Sequence, residues 1–244
     1  MPTGERRVVL LTGAGGLLGD AFCRRYAAAY DIVAVCRTRV PGVASQHESF
    51  VDPLDPGSSP EENDARVFTV FADLAQPGQV ERVVEVALAR HGRIDVLVNN
   101  AGYQQHHPRG LIDGDVALQD FGQHLTTNVT VPLHLAVRTA QLFWRDRAEE
   151  NRQERRHVVN VSSIAGSRVY PGRGQGLYAA SKAALNHLTR HMSTEFDAFG
   201  VRVNALAPNS FPHRVPTEDV ADAITRLDRE TVTGRVLVMD EPPA

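Results

Sequence analysis

The chain of 244 residues carries 26 basic and 29 acidic side chains, a formal net charge of -3 that gives no reason to expect nucleic acid or an acidic membrane as a partner. Its hydrophobic content of 42% and charged content of 23% are those of an ordinary soluble protein, and no apolar run approaches the ~20 residues that span a bilayer. Because the first apolar run begins at Val8, we expect no signal peptide, and the two cysteines, Cys23 and Cys36, suit a reducing compartment. We therefore expect a cytoplasmic protein.

Short β-rich runs alternate with helix-length segments along the chain. Seven runs predict buried strands, at residues 8–11, 32–35, 67–70, 96–98, 158–161, 201–206 and 236–239. Amphipathic stretches such as residues 79–91 and 118–143 lie between most of them. Near-continuous apolar strands separated by helices imply a parallel sheet covered on both faces and joined by right-handed crossovers. The pattern predicts one α/β domain over residues 1–244, with a doubly wound Rossmann fold of about seven strands.

Two stretches interrupt this alternation. Residues 38–66 are rich in proline, serine and acidic side chains and hold no convincing helix. We expect a long irregular excursion there, where a crossover helix would normally lie. Residues 149–156 form a dense run of charges, which is typical of a solvated helix end.

A glycine-rich segment follows the first predicted strand directly and precedes a helical stretch. Glycines at such a turn let the backbone approach a pyrophosphate, and the following helix presents unpaired N–H groups and its positive dipole end to that anion. The segment predicts a dinucleotide-binding turn whose contacts come from Gly13, Gly15, Gly16, Leu17, Leu18 and Gly19.

The end of the second predicted strand indicates which ribose the site accepts. An acid about 20 residues beyond the glycines would bind the 2′-hydroxyl of NAD, whereas an arginine suits the 2′-phosphate of NADP. Asp31 lies at the start of this strand, at the wrong edge of the sheet, and the strand ends in Arg37, Thr38 and Arg39 without an acid. We expect NADP(H) to be preferred, with Arg37 facing the phosphate and Thr38 or Arg39 assisting. NAD(H) stays an open alternative.

Tyr178 and Lys182 lie four residues apart in a helix-forming sequence, which places them one turn apart on the same face. A phenol has an unperturbed pKa of about 10, too high to exchange protons readily near neutrality. A cation beside the phenol favours the phenolate and lowers that pKa, which makes the phenol a usable general acid or base. Because this spacing is common in surface helices, the interpretation depends on accompanying motifs.

Five motifs in order make the chain resemble the short-chain dehydrogenase/reductase family over nearly its full length. They are the glycine turn at residues 12–19, Asp73-Leu74, Asn99-Asn100-Ala101-Gly102, Asn128, and Ser162-Ser163 followed by Tyr178 and Lys182. Ala207-Pro208 then fits the proline that follows a strand in this family. The resemblance implies an oxidoreductase acting on a small-molecule carbonyl or alcohol with NADP(H), and a homodimer or homotetramer formed through the helices that carry Asn128 and Tyr178.

The resemblance implies a role for each of four catalytic candidates. Tyr178 would pass a proton to a carbonyl oxygen, or remove it in the reverse direction. Lys182 would lower the pKa of Tyr178 and bind the nicotinamide ribose. Ser163 directly precedes a small-residue turn and would hydrogen-bond the substrate oxygen in preference to Ser162. Asn128 would hold a water that links Lys182 to solvent.

Further cofactor contacts also follow from the resemblance. Asp73 would lie at the adenine, and Asn99 and Gly102 on the adenosine side. Besides the glycine turn, Arg37 and Thr38, the resemblance implies eight residues that contact the cofactor: Asp73, Leu74, Asn100, Ala101, Gly102, Tyr178, Lys182 and Pro208. No metal is expected, because His187 and His191, although four residues apart, have no accompanying glutamate base. His106 and His107 could line the substrate entrance.

The chain departs from the family pattern at three places. Its glycines at positions 13, 16 and 19 have the spacing of the longer, sugar-nucleotide-modifying branch, whose larger C-terminal substrate domain the chain lacks. The loop between Ser163 and Tyr178 is slightly longer than usual. After Pro208 the substrate lid is shortened to about residues 209–216, before a capping signal for the last helix. We expect an active site that is open, completed by another subunit, or covered by the excursion at residues 38–66.

Two alternatives to a carbonyl reductase or alcohol dehydrogenase stay open. A non-catalytic NADP(H)-binding regulator or scaffold is favoured by the short lid and opposed by the complete set of Asn128, Ser163, Tyr178 and Lys182. A sugar-nucleotide epimerase or dehydratase is favoured only by the glycine spacing. The substrate is not encoded in a recognisable pattern, and a shared fold does not decide function.

Overall fold

A computed structural model describes residues 6–48 and 63–240 of the chain. Its strands are β1 (Arg7–Thr12), β2 (Tyr30–Cys36), β3 (Ser45–His47), β4 (Val67–Phe71), β5 (Val96–Asn99), β6 (His157–Val161), β7 (Arg202–Pro208) and β8 (Val236–Met239). Its α-helices are α1 (Leu17–Tyr26), α2 (Gln79–His91), α3 (Asp115–Leu125), α4 (Val131–Thr139), α5 (Ala148–Gln153), α6 (Gly176–Phe196) and α7 (Thr217–Arg229). π-helical turns at Thr126–Thr130 and Ala140–Trp144 extend α3 and α4.

The strands of the described residues form a single parallel sheet in the order β3-β4-β2-β1-β5-β6-β7-β8. Helices cover both faces, so the predicted doubly wound fold is confirmed, and each of the seven predicted strands is present. The carboxyl ends of all strands in a parallel sheet lie at the same edge. The chain builds the sheet outward from β1 in one direction up to β4 and in the opposite direction from β5 onward, so the direction of the connections reverses next to β1. Ligands of doubly wound sheets bind at this position, outside the carboxyl ends of the strands.

One strand was not predicted. Strand β3 lies inside the segment expected to be irregular, and it pairs with β4 from Ser45–Val67 to His47–Thr69. Its short, polar sequence carries no apolar signal, but its backbone covers the outer edge of β4, which would otherwise present unpaired groups. The expectation of an irregular excursion is therefore wrong at these three residues. Residues 49–62 of that segment, and 241–244 at the C-terminus, lie outside the described residues.

The apolar strands fill two hydrophobic cores, one on each face of the sheet. Along β1 the side chains of Val8 and Leu10 join one core and those of Val9 and Leu11 join the other. The first core is completed by α2, α4 and α6, and the second by α1 and α7. Alternate residues of a strand point to opposite faces, so a strand buried on both faces must be apolar throughout.

The charge run at residues 149–156 is only partly solvated. Arg152 is exposed as expected, but Arg156 is 1% exposed and Asn151 is fully buried. The Arg156 guanidinium donates to Asn151 Oδ1 at 2.6 Å and lies 3.4 Å from an Asp95 carboxylate oxygen. The predicted solvated helix end is therefore wrong for these two side chains, because Arg156 is paired with an acid 61 residues away in the sequence. None of the described helices is long and apolar enough to cross a membrane.

Candidate active site

A cavity of about 600 Å³ opens at the carboxyl ends of the strands around β1. Most of the predicted cofactor contacts line it: Gly13, Gly15, Gly16, Leu17, Leu18, Arg37, Thr38, Asp73, Leu74, Asn100, Ala101, Gly102, Tyr178 and Lys182. Three predicted contacts, Gly19, Asn99 and Pro208, are not among its lining residues. Gly19 packs under the glycine turn, and Pro208 is buried as the last residue of β7.

The glycine turn is built by close backbone contacts. Gly13 has a left-handed φ of +66°, and a Cβ at Gly19 would lie 2.4 Å from the Gly13 carbonyl oxygen. A Cβ at Gly15 would lie 1.7 Å from the Arg39 carbonyl oxygen, so this glycine lets the loop after β2 pack against the turn. No side chain of the described residues caps the first turn of α1, whose N-cap is Gly16. The free N–H groups of that turn and its positive dipole end therefore face the cavity.

The Asn-Asn-Ala-Gly motif is tied to the end of β1. Asn100 Nδ2 donates to the carbonyl oxygens of Thr12 and Gly13 at 2.9 and 3.0 Å. The backbone N–H groups of Asn100 and Ala101 both donate to Thr12 Oγ1 at 2.9 Å. Asn99 does not reach the cavity as the sequence predicted, because it is 2% exposed and donates to Asn160 Oδ1 at 2.8 Å between β5 and β6. Within this motif, Asn100 is therefore the asparagine that joins the cavity wall to the end of β1.

Segments at the two sides of the predicted ribose site are also held by local bonds. Arg37, Thr38 and Arg39 line the cavity where β2 ends. Asp31, at the other end of β2, lies 3.7 Å from Arg66 and away from the cavity. Asp73 Oδ1 accepts from the Ala75 backbone N–H at 3.1 Å, which fixes the turn after β4. The surroundings of the ribose site are thus basic at β2 and acidic at β4.

Tyr178 and Lys182 lie on one face of α6, directed at the cavity. Lys182 is 4% exposed, and its Nζ donates to the Val161 carbonyl oxygen at 2.8 Å and lies 5.8 Å from the centre of the Tyr178 ring. The Ser163 side chain is hydrogen-bonded to Tyr178 and also accepts from the Ala165 N–H at 3.2 Å. Tyr178 and Lys182 therefore line the cavity together, and Ser163 is joined to them through its bond to Tyr178.

The neighbouring Ser162 has a different role. Its hydroxyl donates to the Lys182 carbonyl oxygen at 3.3 Å, although the residue is also part of the cavity wall. Its hydroxyl hydrogen is thus used within the fold. The choice of Ser163 over Ser162 as the serine that acts on a ligand stays a prediction, since Ser162 lines the cavity while Ser163 is the serine bonded to Tyr178.

Burial dominates the protonation behaviour of the pair. Burial raises the pKa of Tyr178, and the hydrogen bond from Ser163 lowers it by less. Burial lowers the pKa of Lys182 to about 8. The expectation that Lys182 lowers the pKa of Tyr178 stays a prediction, because in the protein alone the removal of the phenol from water is the larger effect and the net shift is upward. Both groups are driven towards their neutral forms.

Asn128 lies fully buried in the π-helical turn that follows α3. Its Oδ1 accepts from the Tyr103 N–H at 2.8 Å, and its Nδ2 donates to the Tyr103 carbonyl oxygen at 2.8 Å and to Ser181 Oγ at 2.9 Å. A Cβ placed on Gly102 would lie 3.5 Å from Asn128 Oδ1 and 3.9 Å from Lys182 Nζ. Asn128 is thus close to Lys182, and its side-chain amide donates both of its hydrogens to other protein atoms. The water that the resemblance implies stays a prediction.

Other residues of the cavity wall were given no individual role from the sequence. They include residues from the loop after β5, from α3 and its π-helical turn, and from the segment after β7, namely Tyr103, Gln104, Gln123, Thr127 and Phe211. Residues 209–216 join β7 to α7 through turns without a helix, and their role as a short lid stays a prediction. A signal for part of this wall was present in the sequence, because polar residues recur every four positions at Asp120, His124 and Asn128.

The histidines considered in the sequence are not among the residues that line the cavity. His187 and His191 are exposed, with their Nε2 atoms 3.1 Å apart. His106 is exposed and bonded through Nδ1 to the Arg173 carbonyl oxygen at 3.0 Å, whereas His107 is buried against α3. Within the described ranges, no group of three histidine, cysteine or acidic side chains could hold a metal ion.

Comparisons with known proteins agree with this geometry. A family model described as short chain dehydrogenase matches residues 7–215. The chain is 30% identical over 213 residues to an uncharacterized oxidoreductase of Schizosaccharomyces pombe, covering 85% of this chain and 68% of that protein. It is 30% identical over 226 residues to levodione reductase of Leifsonia aquatica, covering 92% and 75%.

The solved structures include close matches in fold. An oxidoreductase of the short chain dehydrogenase/reductase family from Brucella ovis, in complex with a partially ordered NAD, is 30% identical to this chain and superposes with a TM-score of 0.70. The match covers 97% of this chain and 100% of that one.

Proposed function

The chain belongs to the short-chain dehydrogenase family, and from that membership we propose that it transfers hydride between NADP(H) and a small-molecule carbonyl or alcohol, with Tyr178 as general acid and base. The family is one of oxidoreductases that bind a nicotinamide cofactor. The preference for NADP(H), the reacting group of the substrate and the roles of individual residues are the parts proposed here.

The lining of the cavity fits a dinucleotide. The glycine turn offers backbone N–H groups and the first turn of α1 to a pyrophosphate, and a side chain at Gly15 would collide with the Arg39 carbonyl. Arg37 and Thr38 would hold a 2′-phosphate at the end of β2. When bound, the nicotinamide cofactor supplies or accepts the hydride. The residues named below bind the substrate oxygen and move its proton.

The proton chemistry follows from the surroundings of Tyr178. Its raised pKa keeps the phenol protonated near neutral pH, the state that donates a proton to a carbonyl oxygen as that oxygen gains charge. Ser163, bonded to the same phenol, would donate a second hydrogen bond to the substrate oxygen. Lys182 is cationic below its pKa of about 8 and would stabilise the phenolate left behind. In the opposite direction the phenolate accepts the proton.

A single observation carries this proposal: Tyr178 and Lys182 line the same cavity as the glycine turn, and the Ser163 side chain is hydrogen-bonded to the Tyr178 phenol. A regulator or scaffold that only bound a dinucleotide would not need a phenol hydrogen-bonded to a serine beside a buried lysine. The same arrangement supports catalysis over simple binding.

The proposal is tested by replacing the phenol. We expect Tyr178→Phe to lower turnover of a carbonyl substrate with NADPH at least 1,000-fold, because general acid catalysis contributes about 10²–10⁴-fold and the serine loses its partner. Affinity for NADPH, measured by calorimetry, should change little. The matched control is Tyr26→Phe, whose hydroxyl bonds Asp222 on the opposite face of the sheet at 2.5 Å. Unchanged turnover in Tyr178→Phe would exclude the assigned mechanism.

The cofactor preference has its own test. We expect tighter binding of NADPH than of NADH, and a loss of that preference in Arg37→Glu, because an acid repels the 2′-phosphate and accepts from the 2′-hydroxyl. Arg145→Glu, on an exposed residue paired only locally with Asp146, is the charge control. Equal affinities in the wild type, or a preference that survives Arg37→Glu, would contradict this assignment. Substrates are sought by following NADPH absorbance with aldehydes, ketones and keto-acyl thioesters.

We also propose that the protein is a homodimer or homotetramer. Exposed apolar side chains on the long helical segment that carries Asn128 support this, since Leu118 and Leu142 are 71% and 41% exposed. Sedimentation velocity of the full chain at micromolar concentration decides the point. A single monomer peak across the concentration range would contradict it.

A further inference from the structure

We propose that Asp120 and His124 are positioning residues that hold the loop at residues 103–107 as a fixed wall on the substrate side of the cavity. This inference rests on the proposed function, because it concerns the substrate of the same site. Tyr103 and Gln104 of this loop line the cavity together with Tyr178. The wall would select substrates by shape, without taking part in proton or hydride transfer.

Three polar residues of the long helix lie one turn apart and face this loop. Asp120, His124 and Asn128 are spaced by four residues, so their side chains lie above one another on one face. His124 and Asn128 are fully buried and the Asp120 side chain is 24% exposed. Polar side chains so buried are kept only where they are hydrogen-bonded. Each of the three is bonded to the loop.

His124 holds the middle of the loop. Its Nδ1 lies 2.9 Å from the Asp120 carbonyl oxygen, which only accepts, so Nδ1 carries the hydrogen. Its Nε2 is then an acceptor and takes the Gln105 backbone N–H at 3.3 Å. The imidazole also packs edge-on against the Tyr103 ring at a centroid distance of 4.8 Å. The His124 imidazole therefore contacts helix α3 at Asp120, the loop backbone at Gln105 and the Tyr103 ring.

Asp120 holds both ends of the loop. Its Oδ1 accepts from the Tyr103 hydroxyl at 3.3 Å, and its Oδ2 accepts from His107 Nε2 at 3.0 Å. Because Asn128 already binds the N–H and the carbonyl of Tyr103, this tyrosine is fixed at its backbone and at the tip of its side chain. A wall fixed in advance does not need to be ordered when substrate binds, so less affinity is lost on binding.

His107 joins this wall to the segment that leads into Tyr178. Its backbone N–H donates to the Gly174 carbonyl oxygen at 2.7 Å. Gly174 has a φ of +59°, and a Cβ there would lie 2.0 Å from the His107 carbonyl oxygen, so the two backbones are in direct contact. Helix α6 begins two residues later at Gly176. The positions of Tyr103 and Tyr178 are thus linked through Asp120 and His107.

The first test is a split between KM and kcat in Asp120→Ala. We expect the substrate KM to rise about 5- to 10-fold, with a smaller change in kcat and an unchanged affinity for NADPH, because a fixed side chain is lost and no reacting group is removed. Asp115→Asn, on an exposed acid in the first turn of the same helix, is the matched control. A fall in kcat as large as the rise in KM, or no change in either, would overturn the inference.

A double-mutant cycle separates direct coupling from a general loss of structure. Tyr103→Phe removes the same hydrogen bond from the other side, so its effect on KM and that of Asp120→Ala should be far from additive in the double variant. Fully additive effects would overturn the proposed link.

Hydrogen exchange separates a failure of this inference from a failure of the proposed function. In Asp120→Ala without any ligand, the amides of Gln105 and His107 should exchange about 10-fold faster or more than in the wild type, with the amides of α6 unchanged. Faster exchange in a protein that reduces no carbonyl would uphold the wall and reject the proposed reaction. Unchanged exchange rejects the wall even if the enzyme is active.

Discussion

The two ends of the parallel strands differ in how completely their polar groups are paired. At the amino ends, the buried carboxylate of Asp95 accepts the Val8 N–H at 2.9 Å, bonds Arg93 at 2.8 to 3.0 Å and lies 3.4 Å from Arg156. At the carboxyl ends, Lys182 has three hydrogens and uses one on the Val161 carbonyl. The Asp95 carboxylate is thus paired within the fold, whereas Lys182 keeps donors that can reach a ligand in the cavity.

Further bonds close the amino end. Arg202 donates to the last carbonyl groups of α7, with Leu227 at 2.9 Å and Glu230 at 2.6 Å, and to the Arg155 carbonyl oxygen at 2.7 Å. Asp228 is 4% exposed and is bonded to Arg7 at 2.7 Å. Arginine caps the helix at its negative dipole end.

This difference indicates which end contributes to the stability of the fold and which end contributes to ligand binding. A ligand-binding edge needs groups that water or a ligand will satisfy, so it adds little to the stability of the protein alone. The polar groups of the opposite edge are bonded more extensively within the fold, although the buried Arg202 Nε and His157 Nδ1 have no partner there. We expect substitutions at the amino end to alter unfolding and leave ligand binding unchanged, and the reverse at the carboxyl end.

The largest effect should come from Asp95→Ala at the amino end. This change leaves the Val8 N–H without its acceptor and the 1%-exposed Arg156 without one of its acids, and breaking a buried ion pair costs about 3–5 kcal/mol. We expect the free energy of unfolding in urea to fall by about that amount. Asp146→Ala, at an 83%-exposed acid, is the control and should change it little.

If Asp95→Ala is as stable as the control, the closed network at the amino end is not what stabilises the sheet. If the variant is less stable but also binds NADPH more weakly at a temperature where it is folded, the two ends are not independent. Either result would break the comparison.

The sequence predicted those parts of the molecule that have local signals. The runs at residues 8–11 and 96–98 are apolar throughout because β1 and β5 are buried on both faces, and this pattern is visible without a structure. The positions of Ser163, Tyr178 and Lys182 followed from motifs, and the structure brings the three together.

What the sequence did not predict depends on distant contacts. Strand β3 has the sequence Ser-Gln-His, and only the free edge of β4 makes it a strand. The burial of Arg156 requires Asp95 from a different strand. The raised pKa of Tyr178 results from the loss of water around it, which no spacing reports. The hold of Asp120 on His107 requires the fold of the loop after β5.

A smaller effect should follow from pH at the amino end. His157 is fully buried, and burial together with the nearby Arg202 and Arg7 holds its pKa well below its usual range. As pH falls below about 6.5, the unfolded chain takes up a proton that the folded protein does not, so the free energy of unfolding falls, by about 1.4 kcal/mol between pH 7.5 and 5.5.

This pH effect is measured by urea denaturation at the two pH values. His157→Gln should remove the larger part of this effect, while the exposed His187→Gln should keep all of it. Burial also lowers the pKa of His91, which adds to the slope in the same direction, so a remainder is expected in His157→Gln. A slope identical in His157→Gln and wild type would contradict the assignment.

The smallest effects should separate two acids that both contact α1. Asp20 accepts the Gly42 N–H at 2.6 Å and bonds Arg24 at 2.7 Å, which ties α1 to the loop that follows Arg37. Asp222 of α7 instead bonds Arg25 and Tyr26 near the other end of α1. Because both acids are partly exposed, neither replacement should alter unfolding by much.

Only Asp20→Asn should weaken NADPH binding, by about 3-fold, since an amide oxygen is a weaker acceptor than a carboxylate and the loop with Arg37 becomes less well fixed. Calorimetric titration of NADPH into Asp20→Asn and Asp222→Asn measures this difference directly. Equal affinities in the two variants would mean that the loop after β2 is held by its contact with Gly15 alone, since a Cβ there would lie 1.7 Å from the Arg39 carbonyl oxygen. The carboxyl end would then be fixed by backbone packing, with no contribution from charge.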